Sequence, residues 1–273
     1  DMRFAGRTLS ALADVGSVFL IFLIGRRLFG SKVGLLAAFL LSITVIHVQT
    51  SHYYRPETFL GVLTLASFWF MLNILHSGRQ RDWMFLGLFV GLTFAVKVSV
   101  VPLLLLLVLV FGFRVFGWPD GTTGTSFRRQ LFMTLRHATV GSVIAIFVFL
   151  VINPYAIIDF SEFISDTTWE AGIARVAGKM PYTVQYVGSL PIIYELRQST
   201  IWALGIPLGI VSWVGLIYAG YSVIAKKPTW KPELLLVAWV LSNFLLIGLF
   251  FEVKFLRYIF PIIPLLVLFG ARG

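Results

Sequence analysis

The feature that most constrains this chain is where its few charges sit. Of 22 Lys and Arg residues, 13 fall in short stretches holding only three of the 12 acids: Arg26, Arg27 and Lys32; Arg79 and Arg81; Arg114, Arg128, Arg129 and Arg136; Lys226, Lys227 and Lys231; and Arg272. The other nine bases share their segments with nine acids, so the first set accounts for the whole net charge of +10. Long apolar runs separate the two sets, which alternate along the chain. This is the positive-inside pattern of a polytopic membrane protein, whose basic loops stay cytoplasmic. A chain that is 58% hydrophobic and only 12% charged excludes an ordinary soluble domain. The bases are spread over five loops rather than gathered in one patch, which argues against a nucleic-acid partner. With no Cys there is no disulfide framework, thiolate metal site or cysteine nucleophile.

A helix crossing the hydrocarbon needs roughly 20 apolar residues, fewer when neighbours shield it. Spans are predicted at about 8–25, 33–50, 58–75, 83–96, 99–113, 138–154, 200–224, 234–250 and 256–271. The run 83–113 is long enough for one tilted helix, but a single crossing would put the Arg114–Arg136 bases outside. A break near Lys97 restores the alternation, and Pro102 favours a new helix start there. The expected fold is an all-α polytopic transmembrane bundle of about nine passes. The amino end is outside, the carboxyl end inside, and residues 1–273 form one domain. Residues 155–199 are expected to form an extracytoplasmic loop of short amphipathic helices. Both ends read as cut from a longer protein. Gly87-x-x-x-Gly91 and Gly205-x-x-x-Gly209 offer close helix contacts. The segment 117–127 reads as a flexible Gly/Thr-rich turn, and Trp83, Trp118, Trp202 and Trp230 as interfacial anchors.

Charges in or beside the hydrocarbon are costly and tend to face a partner or a cavity. In the turn His52, Tyr53, Arg55, Pro56, Glu57, the proline starts a helix with Glu57 in its first turn, where a carboxylate suits the dipole. Lys97 stands far from other charges, as a snorkelling residue or as a phosphate counter-charge. Lys254 and Arg257, with Glu252 and Tyr258 beside them, are spaced to share a helical face. Asp14 points into the bundle. Asn153 and Pro154 end a span, with Tyr155 and Asp159 as acceptor-side candidates together with Glu252. On the predicted topology Arg55, Lys97, Lys254 and Arg257 reach one membrane face with Glu57 and Glu252 beside them, a constellation suited to a phosphate and adjacent acid–base work. His47, His52, His76 and His137 are dispersed and show no metal-ligand spacing. The rival to an enzyme is a transporter or flippase for an anionic or lipid-linked solute, which would use broken helices in repeated pairs.

The motifs RTLSAL at 7–12, GRRLFG at 25–30, GLLAAFLLS at 34–42, HYYRPET at 52–58, GLTFAVK at 91–97 and KFLRYIFPIIP at 254–264 occur in this order. As an ordered set they resemble GT-C class glycosyltransferases, closest to the bacterial and archaeal relatives of dolichyl-phosphate-mannose protein mannosyltransferases and to the aminoarabinose transferase. The resemblance implies an integral enzyme of a bacterial or archaeal plasma membrane. Such an enzyme takes a sugar from a polyprenyl-phosphate carrier and passes it to a protein, lipid or glycan acceptor outside the cytoplasm. It implies that Lys97 and Arg257 serve the carrier phosphate; the charges and turns themselves add His52, Tyr53, Arg55, Lys254 and Tyr258 as substrate- or phosphate-binding candidates. Glu57 stands where the family often has Asp, and the family's main base would lie in an outer loop upstream of Asp1. The donor is a substrate, so no cofactor or divalent metal is expected. The leaving phosphate needs cations and the acceptor a general base.

Overall fold

The computed structural model describes residues 2–117 and 127–273, so Trp118 and most of the predicted turn 117–127 lie outside the described residues. Helices occupy every predicted span: α1 (Met2–Phe29), α2 (Ser31–Ser42) with α3 (Val45–Ser51), α4 (Pro56–Ser77), α5 (Gln80–Val96), α6 (Pro102–Val115), α7 (Phe127–Ile152), α11 (Ile206–Ile224), α12 (Trp230–Phe250) and α13 (Ile263–Arg272). Between α7 and α11 lie α8 (Tyr155–Ile158), α9 (Phe160–Arg175) and α10 (Ile193–Gln198). This region also holds a 3-10 turn, Pro181–Tyr186, and ends in a π turn, Ser199–Ala203. Short helices are what the sequence leads one to expect of residues 155–199. Among the described residues, α1, α4, α7, α11 and α12 are long and apolar enough to cross a bilayer, and a sixth crossing is added if α2 and α3 form one bent span. The 17-residue α5, 14-residue α6 and 10-residue α13 are shorter than a full crossing.

The chain divides into two compact units, one made of Asp1–Gly61 with Tyr155–Gly273, the other of Val62–Pro154. The second unit contains the break anticipated at Lys97. Helix α5 ends at Val96, Lys97 takes an extended backbone, and α6 opens on Pro102. Helices α5 and α7 approach closely, because a Cβ on Gly87 would lie 2.1 Å from the Gly141 carbonyl oxygen. Larger residues would force the backbones apart. Phe70 of α4 stacks on Phe85 and Phe89 of α5. Trp83, at the start of α5, is buried at 5% exposure. Only 6% of the apolar window of α7 is buried, as befits a helix bathed in lipid.

The first unit is built around α13, whose residues from Ile263 to Ala271 are all buried. Trp239 of α12 donates its indole N–H to the Pro261 carbonyl at 3.0 Å. At the other end of α13, Arg272 pairs with the buried Glu233 and donates to Ser222. Pro261 and Pro264 each remove a backbone donor, so the run entering α13 winds as a 3-10 turn over Leu256–Ile262 instead of an α-helix. The predicted continuous span 33–50 is broken, with α2 and α3 meeting at 57°. Ser42 and Thr44 donate their hydroxyls back to the Phe39 and Leu40 carbonyls at 2.8 and 2.7 Å. Such bonds compete with the helical ladder, and β-branched residues from Ile43 to Ile46 weaken it further.

Candidate functional site

Arg257 marks the candidate site. It lies on the 3-10 turn Leu256–Ile262, its side chain 42% exposed, with Nε 3.9 Å from Oε1 of Glu57. That distance is beyond a hydrogen bond, so the two charges are neighbours without being locked together. Glu57 is buried at 4% exposure in the first turn of α4, and its Oε2 has no hydrogen-bond partner among the described residues. Pro56 starts α4 as the sequence predicts. The Arg257 guanidinium lies over Phe255 at 4.4 Å and Tyr258 at 5.8 Å, so an aromatic wall holds the cation. Tyr186 packs edge-on against Phe255 at 5.4 Å. Burial, then the neighbouring Tyr194, pushes its phenol up to about 12, with Arg257 opposing. Tyr186 therefore keeps its proton at any working pH.

Lys254 departs from expectation. Instead of sharing a helical face with Arg257, it precedes the 3-10 turn and is buried. Its ammonium donates to Oε1 of Glu195 at 2.6 Å and to the Gly248 carbonyl at 3.3 Å. A buried ammonium needs a counter-charge, and Glu195 of α10 supplies it, so in this structure the charge of Lys254 is turned to Glu195 and not to an open surface. Glu252 likewise serves the backbone, its Oε2 accepting the Ala177 N–H at 2.8 Å, next to a Val253 N–H to Ala174 carbonyl bond of 3.0 Å. These bonds stitch residues 252–254 to the segment 155–199. Asp159, an exposed acceptor-side candidate, caps α9 by accepting the Glu162 N–H at 3.3 Å. Tyr155 is exposed at the start of α8.

Arg55 is exposed. Its backbone N–H donates to Ser10 at 3.4 Å, and its guanidinium sits 5.8 Å from the Tyr53 ring. His52 donates Nδ1–H to the Val48 carbonyl at 2.6 Å, closing the end of α3. His52, Tyr53 and Ser51 line a cavity of about 500 Å³ with Phe4, Arg7, Thr8 and Ala11. Lys97 is half-buried at the end of α5, in the second unit. No group of three His, Asp or Glu residues able to hold a metal occurs among the described residues.

Two residues missed by sequence reasoning are Glu195 and His47. Glu195 stands in the mixed-charge segment Tyr194–Arg197 with nothing to separate it from the surface acids around it. His47 reads in the sequence as one of four dispersed histidines, yet it meets Asp14, the charge predicted to point into the bundle, at 2.5 Å.

The family model for dolichyl-phosphate-mannose-protein mannosyltransferase matches residues 1–119. ArnT from Cupriavidus metallidurans bound to undecaprenyl phosphate superposes with a TM-score of 0.63 at 18% identity, covering 97% of this chain and 45% of that one. The chain shares the GT-C membrane fold of that ArnT structure. ArnT in the apo state gives a TM-score of 0.61 at 18% identity over 97% of this chain and 44% of that one. The archaeal oligosaccharyltransferase AglB from Archaeoglobus fulgidus, in complex with an inhibitory peptide and a dolichol-phosphate, gives 0.59 at 14% identity over 97% and 38%. The chain thus spans less than half the length of the solved structures it matches. No curated protein matches it in sequence. The GT-C resemblance read from the ordered motifs is borne out by the family model and by the fold, and the protein is an integral membrane protein.

Proposed function

We propose that this chain belongs to an enzyme that transfers a sugar from a polyprenyl-phosphate carrier to an acceptor on the extracytoplasmic face of a bacterial or archaeal plasma membrane. The observation that carries the reading is Arg257: a half-exposed guanidinium, backed by aromatic rings and standing 3.9 Å from a buried carboxylate with which it makes no hydrogen bond. Such a cation is available to a phosphate, and the fold is shared with a protein solved with undecaprenyl phosphate bound. In this reading the acceptor oxygen or nitrogen bonds to the anomeric carbon as the anomeric C–O bond breaks. The electron pair leaves on the polyprenyl phosphate, whose charge Arg257 stabilises, and a carboxylate takes the acceptor's proton. Glu57 is the carboxylate beside that charge. From the sequence pattern alone, Lys97 is proposed for the carrier phosphate, and Arg55, His52 and Tyr53 for the substrate side. The alternation of basic and charge-balanced segments supports the outer placement of Arg55, Lys97 and Arg257.

The test uses the full-length protein in liposomes with labelled polyprenyl-phosphate sugar and a mixture of candidate acceptors. Label passing to an acceptor is the expected result. Carrier-independent solute uptake without sugar transfer would replace this reading with a transporter.

A further inference from the structure

Asp14 and His47 have no part in the chemistry proposed above, yet they form a polar pair buried inside the first unit. His47 is fully buried on α3, Asp14 nearly so on α1. The imidazole Nδ1–H donates to Oδ1 of Asp14 at 2.5 Å, while Nε2 has no hydrogen-bond partner among the described residues. The ring lies against Phe260, with centroids 4.3 Å apart and planes tilted by 30°. Phe260 sits one 3-10 turn beyond Arg257. It also abuts α4, because a Cβ on Gly61 would fall 3.0 Å from the edge of its ring. Gly61 is one helical turn beyond Glu57. The same two segments therefore meet twice, at Glu57–Arg257 and at Gly61–Phe260, and His47, bonded to Asp14 of α1, lies against the Phe260 ring of the second contact.

We infer that the Asp14–His47 pair positions Arg257: by fixing the imidazole plane on which Phe260 rests, it sets the rotation of the 3-10 turn and hence where the guanidinium lies. A 3-10 turn has poorer hydrogen bonds than an α-helix, and Pro261 removes one more donor from this one. Its orientation then depends on what its side chains pack against. An apolar pair would hold α1 to α3 as well as an acid and an imidazole, and at less desolvation cost. What the hydrogen bond adds is a direction for the ring. The consequence for the carrier phosphate rests on the functional reading above, whereas the placement of Arg257 does not.

The test takes the full-length protein in nanodiscs and follows phenylglyoxal labelling of Arg257 by peptide mass spectrometry, alongside undecaprenyl-phosphate binding and thermal unfolding. Phe260→Leu keeps an apolar side chain and removes the stacking face. His47→Ala removes the ring, and Asp14→Asn weakens its anchor. Arg257 labelling should change several-fold in Phe260→Leu and His47→Ala and less in Asp14→Asn. Undecaprenyl-phosphate affinity should fall in the same order, by roughly tenfold for the first two. Glu233→Gln, which disturbs the Arg272 end of α13, should lower the unfolding temperature and leave Arg257 labelling unchanged. Wild-type labelling in a folded Phe260→Leu would overturn the inference, and that variant decides the matter if His47→Ala does not fold. Altered labelling in a protein that binds no polyprenyl phosphate would uphold the positioning role and reject only the carrier reading.

Discussion

Lys254 and Arg257 stand three residues apart, each facing a buried glutamate whose Oε2 has no hydrogen-bond partner among the described residues, yet the two pairs differ in pairing distance and in exposure of the cation. Lys254 and Glu195 are both buried and bonded at 2.6 Å, while Arg257 is 42% exposed and stays 3.9 Å from Glu57. The first pair is closed: each charge is spent on the other, and the bond ties α10 to the segment leading into α13. The second pair is open, with a carboxylate and a guanidinium close enough to feel each other and too far apart to satisfy each other. A cation resting on aromatic rings and not locked to its counter-ion is what the proposed phosphate role asks of Arg257. One segment thus carries a buried, tightly paired cation and a half-exposed, loosely paired one, told apart by burial and pairing distance.

The sharpest way to break this contrast is to unpair the closed side. Glu195→Ala leaves an ammonium buried without a counter-charge and should cost about 3–5 kcal/mol of stability. Thermal unfolding in nanodiscs reads the effect, and Glu195→Leu combined with Lys254→Met should recover most of it. A Glu195→Ala protein as stable as wild type would mean that the closed pair is not closed. On the open side, Arg257→Ala should lower donor turnover by roughly 10²–10³-fold, as losing a charge-stabilising donor does. Its unfolding temperature should stay close to that of the wild type. Equal losses of stability in the two variants would erase the distinction.

Lys97→Ala sharpens the comparison from the second unit. We expect a loss of donor affinity on the order of tenfold, the effect of one charge-assisted contact, with little change in stability. Unchanged affinity would remove Lys97 from the phosphate site. The smallest effect concerns Tyr186, whose phenol titrates near 10 when unfolded and at about 12 in place. Its contribution to stability is whole below pH 10 and is lost as the pH rises through that interval, because the native state holds the proton longer. Tyr186→Phe should therefore flatten the alkaline fall in stability between pH 10 and about 12, measured by denaturant unfolding. A slope identical to wild type would show that the phenol is not shielded as its packing against Phe255 implies.

Much of the fold was legible in the sequence because membrane architecture is written in local terms. A run of apolar residues, a proline at its start and a cluster of bases at its end are each visible within some 20 residues. The break at Lys97 was read from charge alternation and Pro102 alone, and α5 and α6 end and begin there. The close approach at Gly87 was visible in the same way. The kink between α2 and α3 was not, because Ser42 and Thr44 bend a helix only when their hydroxyls turn back on the ladder. The site was legible as a set of charges but not as a set of partnerships.

By itself, the sequence determined that this protein is a helical membrane bundle, where its segments lie, and which charges would be expensive to leave unexplained. Only the tertiary structure decided how those charges are spent: Lys254 on Glu195, 59 residues away, and Asp14 on His47, 33 residues away. The physical reason is that hydrophobic periodicity and loop charge act over a helical turn or a span. A buried ion pair is a choice among partners distant in the chain, made by packing that no local pattern records.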